Sequence, residues 1–205
     1  LVAVPTAMAT SAHPPPSAPL PPLLPGFSLV RDQAELYAAV SAVREGGELQ
    51  LELPEGKRFL LDAGALDMKD ARVTLRSTGI GATLDAQSRS RVMRTSGVNL
   101  TLENIHLTAG ATPEQASGGC LLAEHSNVYM RNGSLSNCSA YGLPINVYFY
   151  PGGDGGGIFA LGGEVHLSGV SVTDCSAGDD GGGVYLLGSR GYVQGCVFDG
   201  NSAHN

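Results

Sequence analysis

The chain has no tryptophan, little positive charge and no long apolar run, and each shortage removes a class of function. Lys and Arg total 12 against 19 Asp and Glu, for a net charge of −7. The cations are scattered, so neither the clustered basic surface that nucleic acid requires nor a polybasic membrane patch is present. No stretch approaches the ~18 apolar residues of a membrane-spanning helix. Four cysteines are too few for a disulfide scaffold, and none has the C-x-x-C spacing of a zinc or thioredoxin-type site. What the chain has in quantity is glycine, 29 residues of it, which favours tight turns over long helices.

It begins at Leu1 rather than Met. LVAVPTAMATSAH suits either the end of a signal peptide or the interior of a longer protein. The small residues fit a cleavage region, and no basic segment precedes them. PPPSAPLPPLLPG follows, where proline fixes φ and removes the N–H donor, so a polyproline II spacer or strap is expected. A Pro-rich recognition ligand or a hydroxylated cell-wall-type segment is the alternative.

DQAELYAAVSAVR, Asp32 to Arg44, reads as a short helix. Asp32 is the expected N-cap, Glu35 completes a capping-box pattern, and Leu36, Ala39, Val40 and Val43 share one face. Gly46 and Gly47 end it. ELQLEL alternates with period two, as a strand with one buried face does, and PEGK turns the chain.

The chain then repeats. Residues 118–140, 155–177 and 181–203 superpose without gaps, and a looser copy aligns Asn99–Leu102 with Asn127–Met130 and Leu107 with Leu135. A period of this length, made of short strands and glycine corners, indicates a solenoid of parallel strands. The superposition assigns the interior as three columns: Met130, Leu167, Val193; Leu135, Val172, Phe198; and Gly133, Val170, Cys196. Residues between them, such as His166, Ser168 and Thr173, alternate outward. Equivalent residues should lie about 4.8 Å apart.

The predicted fold is therefore all-β: a right-handed parallel β-helix, or β-solenoid, with an N-terminal capping helix and a Pro-rich leader. Residues 1–31 form the leader, 32–47 the helix and 48–205 the solenoid. Handedness follows the crossover rule for parallel strands. The helix should plug the first coil, whose edge groups and apolar end would otherwise be open. The last coil is expected to be covered by continuing chain beyond 205, or by a partner in a homo- or hetero-assembly.

VTLRSTGIGATLDA, SGVNLTLENIHLTAG and the blocks GGGIF and GGGVY, with CVFDGNSA at the end, resemble pectin-lyase-type β-helix proteins. More narrowly they are similar to the polymorphic outer-membrane-protein repeat, marked by GG-x-[IV]-[YF] and F-x-x-N. The resemblance covers roughly residues 48 to 205. It implies a surface or secreted β-helix protein, of the kind found among bacterial adhesins and autotransporter passengers and among surface proteins of algae and other eukaryotes. No catalytic residue belongs to the repeat, so it transfers none, and fold alone licenses no activity.

Asp179 and Asp180 raise the question of a site. Polygalacturonase-type enzymes carry a paired aspartate, but the companion Asn-Thr-Asp, Gly-His-Gly and Arg-x-Lys motifs are missing. Inverting hydrolysis also needs two carboxyls about 6.5–9.5 Å apart, which adjacent corner residues do not promise. No catalytic residue is assigned. Asp179 and Asp180 remain calcium candidates, set against a simple reading in which Gly178 to Asp180 is an insertion forming a turn. Asp154, Asp174 and Asp199 fall on other corners, with Arg190 near them in sequence.

The longer insertion, YGLPINVYFYPGGD, either folds back on the coils or contacts a partner, with Tyr141, Tyr148, Phe149 and Tyr150 as anchors. Aromatic stacking on an extracellular polysaccharide is a narrower form of the same idea. Cys138 and Cys175 share a column and are the candidate disulfide, within the Cα window of about 4.4–6.8 Å. Cys196 falls in an apolar column, and Cys120 replaces a corner glycine with no evident partner. Asn99, Asn132 and Asn137 head glycosylation sequons, and asparagine ladders at corners explain the same residues. His106, His125 and His166 lie on separate outward positions.

The expected function is a non-catalytic structural, adhesive or assembly module, glycosylated and secreted or at the cell surface, without cofactor. A pectate-lyase or polygalacturonase type enzyme and a carbohydrate-binding module are the alternatives.

Overall fold

The computed structural model describes residues 26–112, 116–141 and 153–204. The Pro-rich segment and Tyr148, Phe149 and Tyr150 lie outside them. The chain is a parallel β-solenoid of about six turns. Three parallel sheets run along it. The first has ten strands and includes Glu48–Glu52, Arg72–Arg76, Asn99–Glu103, Leu121–Arg131, Ile158–Ser168 and Arg190–Gln194. The second has six, from Arg58–Leu60 to Val197–Asp199. The third stacks Ser139–Ala140, Ser176–Ala177 and Ser202–Ala203.

Register follows the repeat. Leu51, Leu75, Leu102, Met130, Leu167 and Val193 form one column of the first sheet. Phe59, Leu84, Leu107, Leu135, Val172 and Phe198 form one column of the second. A one-residue slip would turn every such side chain to the solvent face, so the alternation pins the register. The predicted columns and the looser copy at Asn99–Leu102 are both found.

Corners explain the remaining sequence pattern. Gly46, Asp70, Gly97, His125, Gly162 and Gly188 sit at the same bend of successive coils, all with positive φ. The GG-x motif has a second cause. A Cβ on Gly156 would lie 2.2 Å from the Gly182 carbonyl oxygen and 2.5 Å from that of Ser176. The coil can therefore close only around a residue without a side chain. The Asn of F-x-x-N is a clamp: Asn201 donates from Nδ2 to the Val172 carbonyl (2.8 Å) and accepts from the Cys175 N–H (3.1 Å).

The helix spans Gln33–Ala42, shorter at its end than Asp32 to Arg44 because Val43 is already extended. Asp32 caps it by accepting the Glu35 N–H at 2.9 Å. Glu35 reaches back to the N–H of Arg31 rather than of Asp32, one residue beyond the usual capping box. Leu36 and Val40 are buried in the same core as the first coils. Each such burial contributes about 1.5–3 kcal/mol, so the helix is held by its apolar face more than by its cap. Tyr37 anchors it by donating to the Gly64 carbonyl, and partial burial raises the Tyr37 pKa.

Candidate functional site

The last coil is where the solenoid's interior meets solvent. Its strands Val184–Leu187, Arg190–Gln194, Val197–Asp199 and Ser202–Ala203 pair with the preceding coil on one side. Among the described residues none pairs on the other. Met130 and Leu167 are 1% and 2% exposed, whereas Val193 in the same column is 58% exposed. Leu135 and Val172 are fully buried, whereas Phe198 is 47% exposed. Val184, Leu186 and Cys196 are partly buried beside them. The surface thus joins core-type side chains to unpaired strand N–H and C=O groups, a template for another parallel coil.

An acidic corner lies on the flank. The carboxylates of Asp154, Asp179 and Asp180 come within 4.8 Å of one another, a set able to hold a hard cation such as calcium. Adjacent Asp179 and Asp180 are joined by Asp154 because coil stacking places Asp154 beneath Asp180. Asp154 is buried, and its Oδ1 accepts the Asp180 N–H at 3.1 Å. Burial raises its pKa, the Asp180 N–H opposes this, and the charges of Asp179 and Asp180 raise it further. The hydrogen bond gives Asp154 a bracing role in the turn, which the sequence reading, placing Asp154 on a separate corner, did not include. Arg190 is held elsewhere, 3.5 Å from Glu164.

The disulfide expectation is corrected. Cys138 is bonded to Cys120, and Cys175 is a buried free thiol. Column neighbours Cys138 and Cys175 point the same way and lie side by side, whereas Cys120 faces Cys138 across one closed coil. Their Cα atoms are 5.3 Å apart. Burial, chiefly, pushes the Cys175 thiol up to about 11.

The three sequon asparagines, Asn99, Asn132 and Asn137, are all exposed. Asn132 and Asn137 occupy positive-φ corners. Asn99 accepts from Asn127 Nδ2 at 2.9 Å, one rung of an asparagine ladder. Tyr141 is exposed, and its N–H donates to Thr112 Oγ1. His106 is bound by Ser134 Oγ and the Ile80 carbonyl, both at 2.9 Å.

One arrangement was missed from sequence. Tyr129, His166 and Tyr192 stack as a ladder on the outer face, with ring centroids 4.7 and 4.3 Å apart. Glu164 is hydrogen-bonded to His166, and that bond above all holds its carboxyl below its usual range. The gapless block alignment puts these three rings in register and could have found them.

Compared with known protein families, with curated proteins and with solved structures, the chain matches none.

Proposed function

We propose that this chain is a non-catalytic structural and assembly module of a secreted or surface-exposed β-helix protein. The carrying observation is the last coil, whose Val193 and Phe198 continue buried columns yet stand exposed. The occupant that fits it is a further parallel β-coil, in register with those columns, whether from a longer chain or a partner. Only such a coil would satisfy the strand edges and bury the apolar columns together. The Cys120–Cys138 disulfide supports an oxidising compartment, where such bonds persist. Exposed Asn99, Asn132 and Asn137 are open to glycan attachment there.

The finer likeness, to pectin-lyase-type and polymorphic outer-membrane-protein repeats, belongs to this proposal. Its support is the pair of motifs, each with a structural duty: close packing at Gly156 and the backbone clamp of Asn201. Those duties are architectural, which suits a scaffold.

The test is association of the chain through this end. Concentration-dependent assembly in sedimentation is expected, lost in Val193→Lys or Phe198→Lys with little change in melting temperature. Assembly unaltered by both substitutions would contradict the proposal, as would a native-source protein in which no further coil, of the same chain or of a partner, covers this end.

A further inference from the structure

On the outer face of the first sheet, register decides which charges meet between turns. Arg131 faces Glu103, Arg190 faces Glu164, and Arg76 stands between Glu52 on one side and Glu103 on the other. Among the described residues no arginine of this sheet has a cation as its register partner. Opposite charges across neighbouring strands support a sheet, and like charges weaken it. The last coil leaves this pattern unfinished. Arg190 reaches Glu164 Oε1 at 3.5 Å, and its side chain is 78% exposed. The other oxygen of Glu164 is 3.0 Å from His166 Nε2, so Arg190 shares its carboxylate. Two residues on, Tyr192 ends the ladder of rings. Its ring centroid lies 4.3 Å from that of His166, and the residue is 48% exposed.

We propose that the coil covering this end carries a carboxylate opposite Arg190, a flat ring opposite Tyr192 and an aliphatic side chain opposite Val193. This rests on the assembly reading above and names the chemistry of the occupant. A carboxylate there sets Arg190 between two acids, as Arg76 already is. A ring there continues the stack, which is worth more than the area it buries. The chain itself contains a segment of this chemistry. Residues 155–177 present Glu164, His166 and Leu167 at the three block positions that Arg190, Tyr192 and Val193 occupy in residues 181–203. The occupant is therefore a coil of the first type. A coil of the second type would set arginine against arginine. The charge also completes the register. A slip of two residues keeps apolar side chains on the inner face, so the apolar alternation alone does not exclude it. The same slip would carry the carboxylate away from Arg190.

The experiment extends the full chain past Asn205 with one aspartate and a copy of residues 155–177, which keeps the three-residue spacing found between blocks 155–177 and 181–203. Hydrogen exchange of Arg190–Gln194 is then compared between the unextended chain, the extended chain and extended chains altered only in the copy. The plain copy should slow exchange of these amides. Glu164→Lys in the copy should give back about threefold or more of that protection, and His166→Ser in the copy a similar factor. The charge effect should shrink in ~1 M salt. Arg190→Glu in the chain should restore protection with the lysine copy, a rescue that a general loss of folding cannot imitate. Equal protection by the plain copy and either altered copy would overturn this proposal and leave the assembly reading standing. No protection by any copy would overturn both.

Discussion

Cys120 and Cys138 are joined within a single turn of the solenoid, although Cys138 stacks directly against Cys175 of the next turn. Closing a loop of sequence separation 18 restricts the unfolded chain and stabilises the fold by about 3 kcal/mol. Cys138→Ser should lose about that amount in denaturant unfolding. A non-reducing peptide map should contain the Cys120–Cys138 link, and a Cys138–Cys175 link would contradict the structure.

The two free thiols should differ sharply in reactivity. With its pKa near 11, Cys175 is almost wholly protonated at pH 8, and it is also buried. Iodoacetamide should modify Cys196, at the last coil, well before Cys175. The same shift has a consequence for stability. A folded pKa above the unfolded 9.0 stabilises the protein below pH 9, and this contribution falls away as pH rises from 9 to about 11. Cys175→Ala should flatten that alkaline slope, and an unchanged slope would remove Cys175 as its cause.

Asp154 carries the opposite charge logic to a salt-bridged carboxylate. Its folded pKa is raised, so its contribution to stability is greatest below the ordinary carboxylate range and is lost as pH rises through the folded value. At pH 7 the ionised corner is a cost, and Asp154→Asn should leave the melting temperature equal or higher. The advantage of the variant should shrink toward pH 4. A variant that is less stable at pH 7 would show the carboxylate to be favourably paired.

The glycine at the second position of each block is a packing requirement. Gly156→Ala would force a Cβ to 2.2 Å from a carbonyl oxygen of the next coil. The backbone must shift, with a loss of a few kcal/mol or failure to fold. Gly195→Ala is the control: it meets no atom within 4 Å and carries only the strain of φ +60, so it should cost about 1 kcal/mol. Equal losses would contradict the close-packing explanation.

The solenoid was legible in sequence because parallel stacking makes equivalent positions chemical equals. Met130, Leu167 and Val193 could be aligned by eye, and the helix revealed itself through Asp32, Leu36 and Val40. The same rule misled at the cysteines: column identity suggested Cys138 with Cys175, while bonding depended on which side chains face each other within a coil. Asp154 was separable from Asp180 in sequence but adjacent by column.

The most direct measurement is hydrogen exchange of the last coil, in the isolated chain and in the assembly from its native source. Amides of Arg190–Gln194 and Val197–Asp199 should exchange quickly in the isolated chain, far ahead of those in Leu121–Arg131. In the native assembly they should become as protected as the interior coils. Equal exchange in both states would mean that nothing stacks on this end, and the assembly account would fail.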